Sequence, residues 1–347
     1  GRLAARWLKG WGFQVEVEEI APGRTNVLAR RPGAGPRLLL NGHLDTVGVE
    51  DMEGNPFSGV IREGILHGRG ACDMKGGMGA LLSAAARMAG AEVPGDLTVA
   101  LTADEEHASL GMQALLARGL RWDGAIVCEP TSLTVMPASK GFVWAEVSFQ
   151  GRSAHGSRPE MGRDAIRDAA AFLVALDEVE SELESRPAHP LLGRGSLHAG
   201  TIQGGTAPSV YPHRCTVVVE RRTLPGEGTR QILDELEGAV RTARQRRPEL
   251  DARVSMAMGR PPSEVSGEHR LVRELQAAVE RAGRSPQLRG MTAFVDAALL
   301  NEAGTPAVCF GPGSIALAHG PRESVDVEEI KLGAQVLEDF GRAFLVG

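Results

Sequence analysis

Five polar clusters in this 347-residue chain carry side chains that bind metal ions: His43-Leu44-Asp45, Asp73, Glu105-Glu106, Glu129 and His319. All are oxygen or nitrogen donors. Two imidazoles and several carboxylates suit zinc, cobalt or manganese. In an extended HxD segment, residues two apart point to one side, so Asp45 can lie beside His43 and fix its tautomer. In Glu105-Glu106 the side chains diverge, so one can bind metal while the other faces a reacting water as general base. Taken singly, each cluster has a plainer reading. An HxD is usually a loop ion pair or N-cap, an EE pair is usually solvated charge, and one His in an Ala-rich segment usually means nothing. Only the ordered combination, each member at the end of an expected strand, overturns that reading.

The elements that must position these residues are short apolar strands alternating with helices. Runs at 37–41, 97–103, 125–128 and 306–310 are compact and apolar, as expected for a largely parallel sheet covered on both faces. In such a sheet, sites form in the crevice beyond the strand carboxyl ends, where the five clusters could converge. A helix is expected from about Gly79 to Met88. Another closes the chain, with Asp326 as cap, Glu329 three residues on, and Ile330, Leu337, Phe340 and Phe344 at helical spacing.

The middle differs in texture. Phe142 to Phe149 alternates like a half-buried strand, and a helix follows with Ile166, Leu173, Leu176 and Leu183 on one face. Strands at 196–202 and 215–223, a helix at 229–246 and a strand near 252–258 complete a β-α-β-β-α-β order, the ferredoxin-like arrangement. The expected fold class is therefore α/β: a metal-binding catalytic domain with a mostly parallel sheet, residues 1–138 and 260–347, interrupted by an α+β domain at 139–259.

Composition bounds the partners. Hydrophobic residues make up 42% and charged residues 24%, enough apolar side chain for a real core. The net charge of −6 is spread without long blocks, so neither nucleic acid nor an anionic membrane is an expected partner. No apolar run is long enough to span a bilayer and no signal sequence is apparent, which predicts a cytoplasmic protein. Four scattered cysteines lack any CxxC pairing and read as small buried residues; thiolate ligation at Cys72 or Cys128, each just before a candidate ligand, is the lesser reading. The glycine-rich stretches form neither a P-loop nor a dinucleotide fingerprint.

The segments NGHLDTV (41–47), GRGACDMKGG (68–77), TADEEHAS (102–109), CEPT (128–131), GRSAHGSRP (151–159) and GPGSIALAH (311–319) together resemble the M20 family of metallopeptidases and amidohydrolases. GGTAPSVYP (204–212), RRTLPGE (221–227) and GMTAFVDAALL (290–300) extend the resemblance over nearly the whole chain. It implies two divalent ions, zinc foremost with cobalt or manganese as alternatives. His43 and Glu129 would hold one and Glu106 and His319 the other, with Asp73 bridging. It makes Glu105 the general base, Asp45 the residue that orients His43, and His155 a donor to the oxyanion. Arg222 matches a position that helps to recognise a substrate carboxylate. Ser209 stands where many relatives have asparagine, which alters the grip on substrate. The inserted domain would serve as lid and homodimer interface. Because the chain begins inside what reads as the first helix, a missing N-terminal segment is also expected.

The implied activity is cleavage of the amide bond of N-acyl amino acids, in the manner of acetylornithine deacetylase and succinyl-diaminopimelate desuccinylase. The rival within the family is an exopeptidase acting on short peptides. A two-metal phosphoesterase and a non-catalytic binding module are the readings outside it. His67, His107, His189, His198, His213 and His269 fall outside the ligand positions.

Overall fold

The computed structural model describes residues 1–347, which divide into two compact units. The first comprises Gly1–Ser139, Ser263–Met291 and Val295–Gly347; the second comprises Lys140–Pro262 with Thr292–Phe294.

The first unit is built on a nine-stranded sheet. Its path runs Gln14–Ala21, Arg24–Arg31, Asp96–Thr102, Arg37–His43, Gly124–Val127, Ala307–Cys309, Val135–Ser139 and Ser263–Glu264, and Leu288–Met291 also pairs with Val135–Ser139. The four strands from Asp96–Thr102 to Ala307–Cys309 are parallel, as expected. The flanks are not: Gln14–Ala21, Arg24–Arg31, Val135–Ser139 and Ser263–Glu264 join antiparallel, so the sheet is mixed. Every residue of Asp96–Thr102 and Gly124–Val127 is buried, the mark of a sheet covered on both faces. Leu38, Leu40, Val99 and Ile126 meet Leu81 and Met88 of helix Gly76–Met88, Leu275 of helix Arg270–Arg281, and Leu337, Phe340 and Phe344 of the C-terminal helix.

Two local expectations shift. Asp326 caps the C-terminal helix by accepting the Glu328 amide at 2.7 Å, but Glu329 does not close a capping box. Its carboxylate accepts the Gly313 amide at 2.8 Å and holds the loop that leads to His319. A small sheet of Ser324–Asp326, Ile65–His67 and Val60–Arg62 lies beside the chain segments entering and leaving the site.

The second unit has an antiparallel sheet in the order Ser196–Gly204, Arg214–Thr223, Gly141–Gln150, Asp251–Arg260, with helices Ala165–Ser185 and Thr229–Arg246. Chain order and sheet order are those of a ferredoxin-like fold. Val147, Phe149, Val217 and Val219 pack with Phe172, Leu176, Leu236 and Val240. Ile166, expected on the buried face of the first helix, is exposed. It lies roughly 100° around the axis from Leu183 at 3.6 residues per turn, and Ala165, Ala169 and Phe172 form the buried stripe instead. No helix in either unit is long and apolar enough to cross a membrane.

Candidate metal centre

The parallel strands end together, and their last residues or following loops carry the clusters. His43 closes Arg37–His43, Glu105 and Glu106 follow Asp96–Thr102, Glu129 follows Gly124–Val127, and His319 lies beyond Ala307–Cys309. Asp73 comes from a kinked turn, Ala71–Lys75, where it is extended at φ −118° and ψ 99°. Gly70 enters that turn at φ 76°, a left-handed conformation that glycine adopts without strain. His319 takes φ 60°, sparsely populated for a side chain with a Cβ and recurrent at functional sites.

Asp73 is the centre of the arrangement. Its Oδ1 lies 3.0 Å from His43 Nε2, and its Oδ2 lies 3.4 Å from His319 Nε2. His319 Nε2 in turn lies 3.0 Å from Glu106 Oε2. Two ligand atoms each about 2.1 Å from one ion stand about 3.0–3.4 Å apart at angles of about 90–110°. The three contacts fall in that range, and donor atoms of His43, Asp73 and Glu106 all lie within 4.8 Å of one another. One carboxylate presents one oxygen to each of two imidazoles, the disposition of a bridge.

Asp45 acts differently from the expectation. His43 Nδ1 meets the Asp45 main-chain carbonyl at 3.1 Å, while the nearer carboxylate oxygen stands off at 3.7 Å. The strand ends at His43, so the period-2 geometry assumed for HxD does not extend to Asp45. The carbonyl still orients the ring: it accepts an Nδ1 proton, so Nε2, which faces Asp73, is the nitrogen open to a metal ion. The Asp45 carboxylate accepts the amides of Glu105 at 3.3 Å and Glu106 at 3.2 Å, pinning the backbone from which those side chains diverge.

The electrostatics call for a cation. Burial, reinforced by Glu129, pushes the Glu105 carboxyl well above its ordinary range; burial and then Asp73 do the same to Glu129. Glu129 Oε1 is buried with no hydrogen-bond partner. Burial also opposes charge on His43 and Asp73, but their mutual contact and that of His319 win. His43 is raised well above the usual imidazole value and Asp73 is held below the carboxylate range. Asp73 and Glu106 lift His319 to about 10. Protons thus stand in for positive charge that divalent ions would supply, and the donor set fits such ions.

The thiols do not compete for this role. All four are buried; burial pushes Cys72 up to about 12 and raises Cys128 and Cys309 as well.

One acid escaped the sequence reading. Asp296 is buried, accepts the Thr102 hydroxyl at 3.4 Å, and is pushed by burial up to about 6. It lies inside the GMTAFVDAALL segment, where the motif marked it but no strand-end rule did.

The remaining candidates belong to the second unit. His155 and Ser209 come from two loops that clasp: Gly156 N–H donates to Ser209 O at 2.7 Å and Tyr211 N–H to Ala154 O at 2.9 Å. His155 Nδ1 stands 2.8 Å from Ser157 Oγ and 3.2 Å from the Ser157 amide, contacts within its own loop that orient the ring. Arg222, on strand Arg214–Thr223, pairs with Glu220 at 2.7 Å and lies over the Phe142 ring.

The profile of Peptidase family M20/M25/M40 matches residues 39–343. The chain belongs to that family. Its membership makes it a metal-dependent hydrolase of amide bonds. Acetylornithine deacetylase of Myxococcus xanthus is 32% identical over 336 residues, 93% of this M20 chain and 86% of that protein. N-formyl-4-amino-5-aminomethyl-2-methylpyrimidine deformylase of Bacillus subtilis (strain 168) is 28% identical, covering 96% and 87%. Among solved structures, an M20 family metallo-carboxypeptidase from Sulfolobus solfataricus superposes with a TM-score of 0.81 at 17% identity, covering 100% of this M20 chain and 94% of the other. That likeness establishes the shared fold.

Proposed function

We propose that the chain hydrolyses the amide bond of N-acyl amino acids, using two divalent ions, zinc foremost. The observation that carries the metal assignment is the division of the Asp73 carboxylate between His43 and His319. His43, Glu129 and Asp73 would hold one ion, and Asp73, Glu106 and His319 the other. When bound, the ions supply Lewis acidity toward a water and the scissile carbonyl.

The chain's own residues supply the rest. Glu105, its backbone pinned by Asp45, takes a proton from the attacking water and returns it to the leaving nitrogen, so an acyl carboxylate and an amine depart. His155, its ring oriented by Ser157, is the donor to the oxyanion that develops during attack. Arg222 is the candidate partner for the substrate carboxylate, with Ser209 in the loop that clasps His155.

Similarity to two proteins named for removal of an acyl group favours deacylation over peptide cleavage. The second reading, exopeptidase action on short peptides, is favoured by the carboxypeptidase named among the solved structures. A homodimer formed through the second unit accompanies either reading. Four thiols with no disulfide suit a reducing cytoplasm.

The deciding experiment loads the protein with zinc or cobalt and screens N-acetyl and N-succinyl amino acids beside dipeptides, reading released amine. Chelator-sensitive turnover of acylated amino acids alone supports the proposal. Turnover of dipeptides alone replaces it with the exopeptidase.

A further inference from the structure

Glu323, four residues beyond His319, has no place in the chemistry above, yet its side chain is fully buried. Its Oε1 accepts two main-chain amides, Cys72 at 3.0 Å and Asp73 at 2.9 Å. Its Oε2 accepts Arg69 Nη1 at 2.6 Å, and the Glu323 carbonyl accepts the Gly68 amide at 3.3 Å. Arg69 is nearly as buried, and its guanidinium reaches two further carbonyls. Nε donates to Gly48 O at 2.8 Å and Nη1 to Gly320 O at 3.4 Å.

These contacts join three loops. Gly48 follows the His43–Asp45 segment, Cys72–Asp73 is the turn that supplies the shared carboxylate, and Gly320 adjoins His319. Because Asp73 is extended rather than helical, its amide finds no partner in the turn, and an unpaired buried amide is costly. A buried ion pair adds little net stability over apolar packing, so this one points to geometry rather than strength. Metal ligands must be held to within about 0.5 Å by partners outside the ligand shell.

We propose that Arg69 and Glu323 are positioning residues for the metal centre, a clamp that holds Asp73 and His319 at ligand spacing. The inference rests on the reading that Asp73 and His319 bind the ions. Glu323 acts by fixing the Asp73 backbone, and Arg69 by tying that turn to the loops on either side.

The test compares two uncharged double variants. Arg69→Met with Glu323→Gln keeps a carbonyl for the Cys72 and Asp73 amides; Arg69→Met with Glu323→Leu removes it. Both remove the ion pair. Zinc affinity is read by competition with a chromogenic chelator and ligand geometry by the visible spectrum of the cobalt form, with circular dichroism reporting the fold. The leucine pair is expected to bind zinc about 10–100-fold more weakly than the glutamine pair, with an altered cobalt spectrum. Equal affinities and identical spectra in two folded variants overturn the clamp. If the leucine pair does not fold, Arg69→Lys takes its place, keeping the buried cation but losing the simultaneous reach to Gly48 O and Gly320 O. Weakened zinc binding in that variant supports the clamp, and affinity within about two-fold of the unaltered chain overturns it. Asp73→Ala separates the two layers of argument: if it binds zinc normally, the metal reading itself fails, whereas an impaired Asp73→Ala beside equal double variants defeats the clamp alone.

Discussion

Metal binding to this centre should be strongly pH-dependent, through protons that the ions displace. An imidazole must be neutral to bind metal, and both candidate imidazoles are raised in the metal-free protein, His319 to about 10 and His43 well above its ordinary value. Across pH 6.5–8.5 an ion that binds His319 therefore displaces about one proton from it, and an ion that binds His43 displaces protons in the same direction. A displaced proton raises the apparent affinity about tenfold per pH unit, so the His319 site should gain up to about 100-fold over the window, or about 2.7 kcal/mol before solvent screening of this half-exposed ring trims it, and the His43 site should gain in the same direction. Histidines titrating at their ordinary value of about 6.5 would gain only about two-fold over the same range. Glu129 adds to the slope wherever it still carries a proton. The assay is chelator competition at pH 6.5, 7.5 and 8.5, corrected for protonation of the chelator, with proton release followed in weak buffer. A two-fold gain, or no released proton, would refute the reasoning about these histidines.

Other outcomes follow from the same contacts. Groups whose pKa is raised on folding stabilise the fold below their unfolded values and lose that contribution as pH rises through the folded ones. His43, His319, Glu105 and Glu129 all have this sign, so the metal-free protein should melt at lower temperature at pH 9 than at pH 6, and zinc should narrow the difference. Glu105→Gln should lower kcat by about 10²–10⁴ while zinc stoichiometry, read by elemental analysis, stays that of the unaltered chain; empty sites would contradict its role as base. Asp45→Asn keeps one carbonyl oxygen where two carboxylate oxygens each hold an amide, so kcat should fall about tenfold or more with zinc content little changed. Gly77→Ala would drive a Cβ into the Cys128 carbonyl, next to Glu129, and should cost about 3 kcal/mol in urea unfolding; unchanged stability would show that the strand end yields freely.

Much of this architecture is legible in the chain because burial writes itself into residue type. Strands buried on both faces, such as Asp96–Thr102, read as unbroken apolar runs, and alternation in Gly141–Gln150 exposes a one-sided sheet. The antiparallel flanks were less visible, since Gln14–Ala21 is an exposed edge rich in glutamate that lacks the apolar signal. At the site, the acids and histidines at strand ends are legible by position. What a side chain does with its atoms is not: Asp45 serves His43 through its carbonyl and Glu105-Glu106 through its carboxylate, and no spacing rule separates those roles. Asp296, Arg69 and Glu323 escaped for a related reason. Their importance lies in contacts across up to 254 positions of sequence.

The strand Ala307–Cys309 lies between Gly124–Val127 and Val135–Ser139, near the middle of the sheet rather than at its edge. A ribosome delivers those neighbours long before their partner. Until residue 307 emerges, the nascent chain carries an open, apolar gap in its main sheet, a surface prone to mispairing and a natural client for chaperones. The last of the proposed ligands, His319, follows ten residues after that strand. Closure of the sheet and completion of the metal-binding set are thus one late event in biogenesis, and the nascent chain cannot assemble its full ligand set before its sheet is whole.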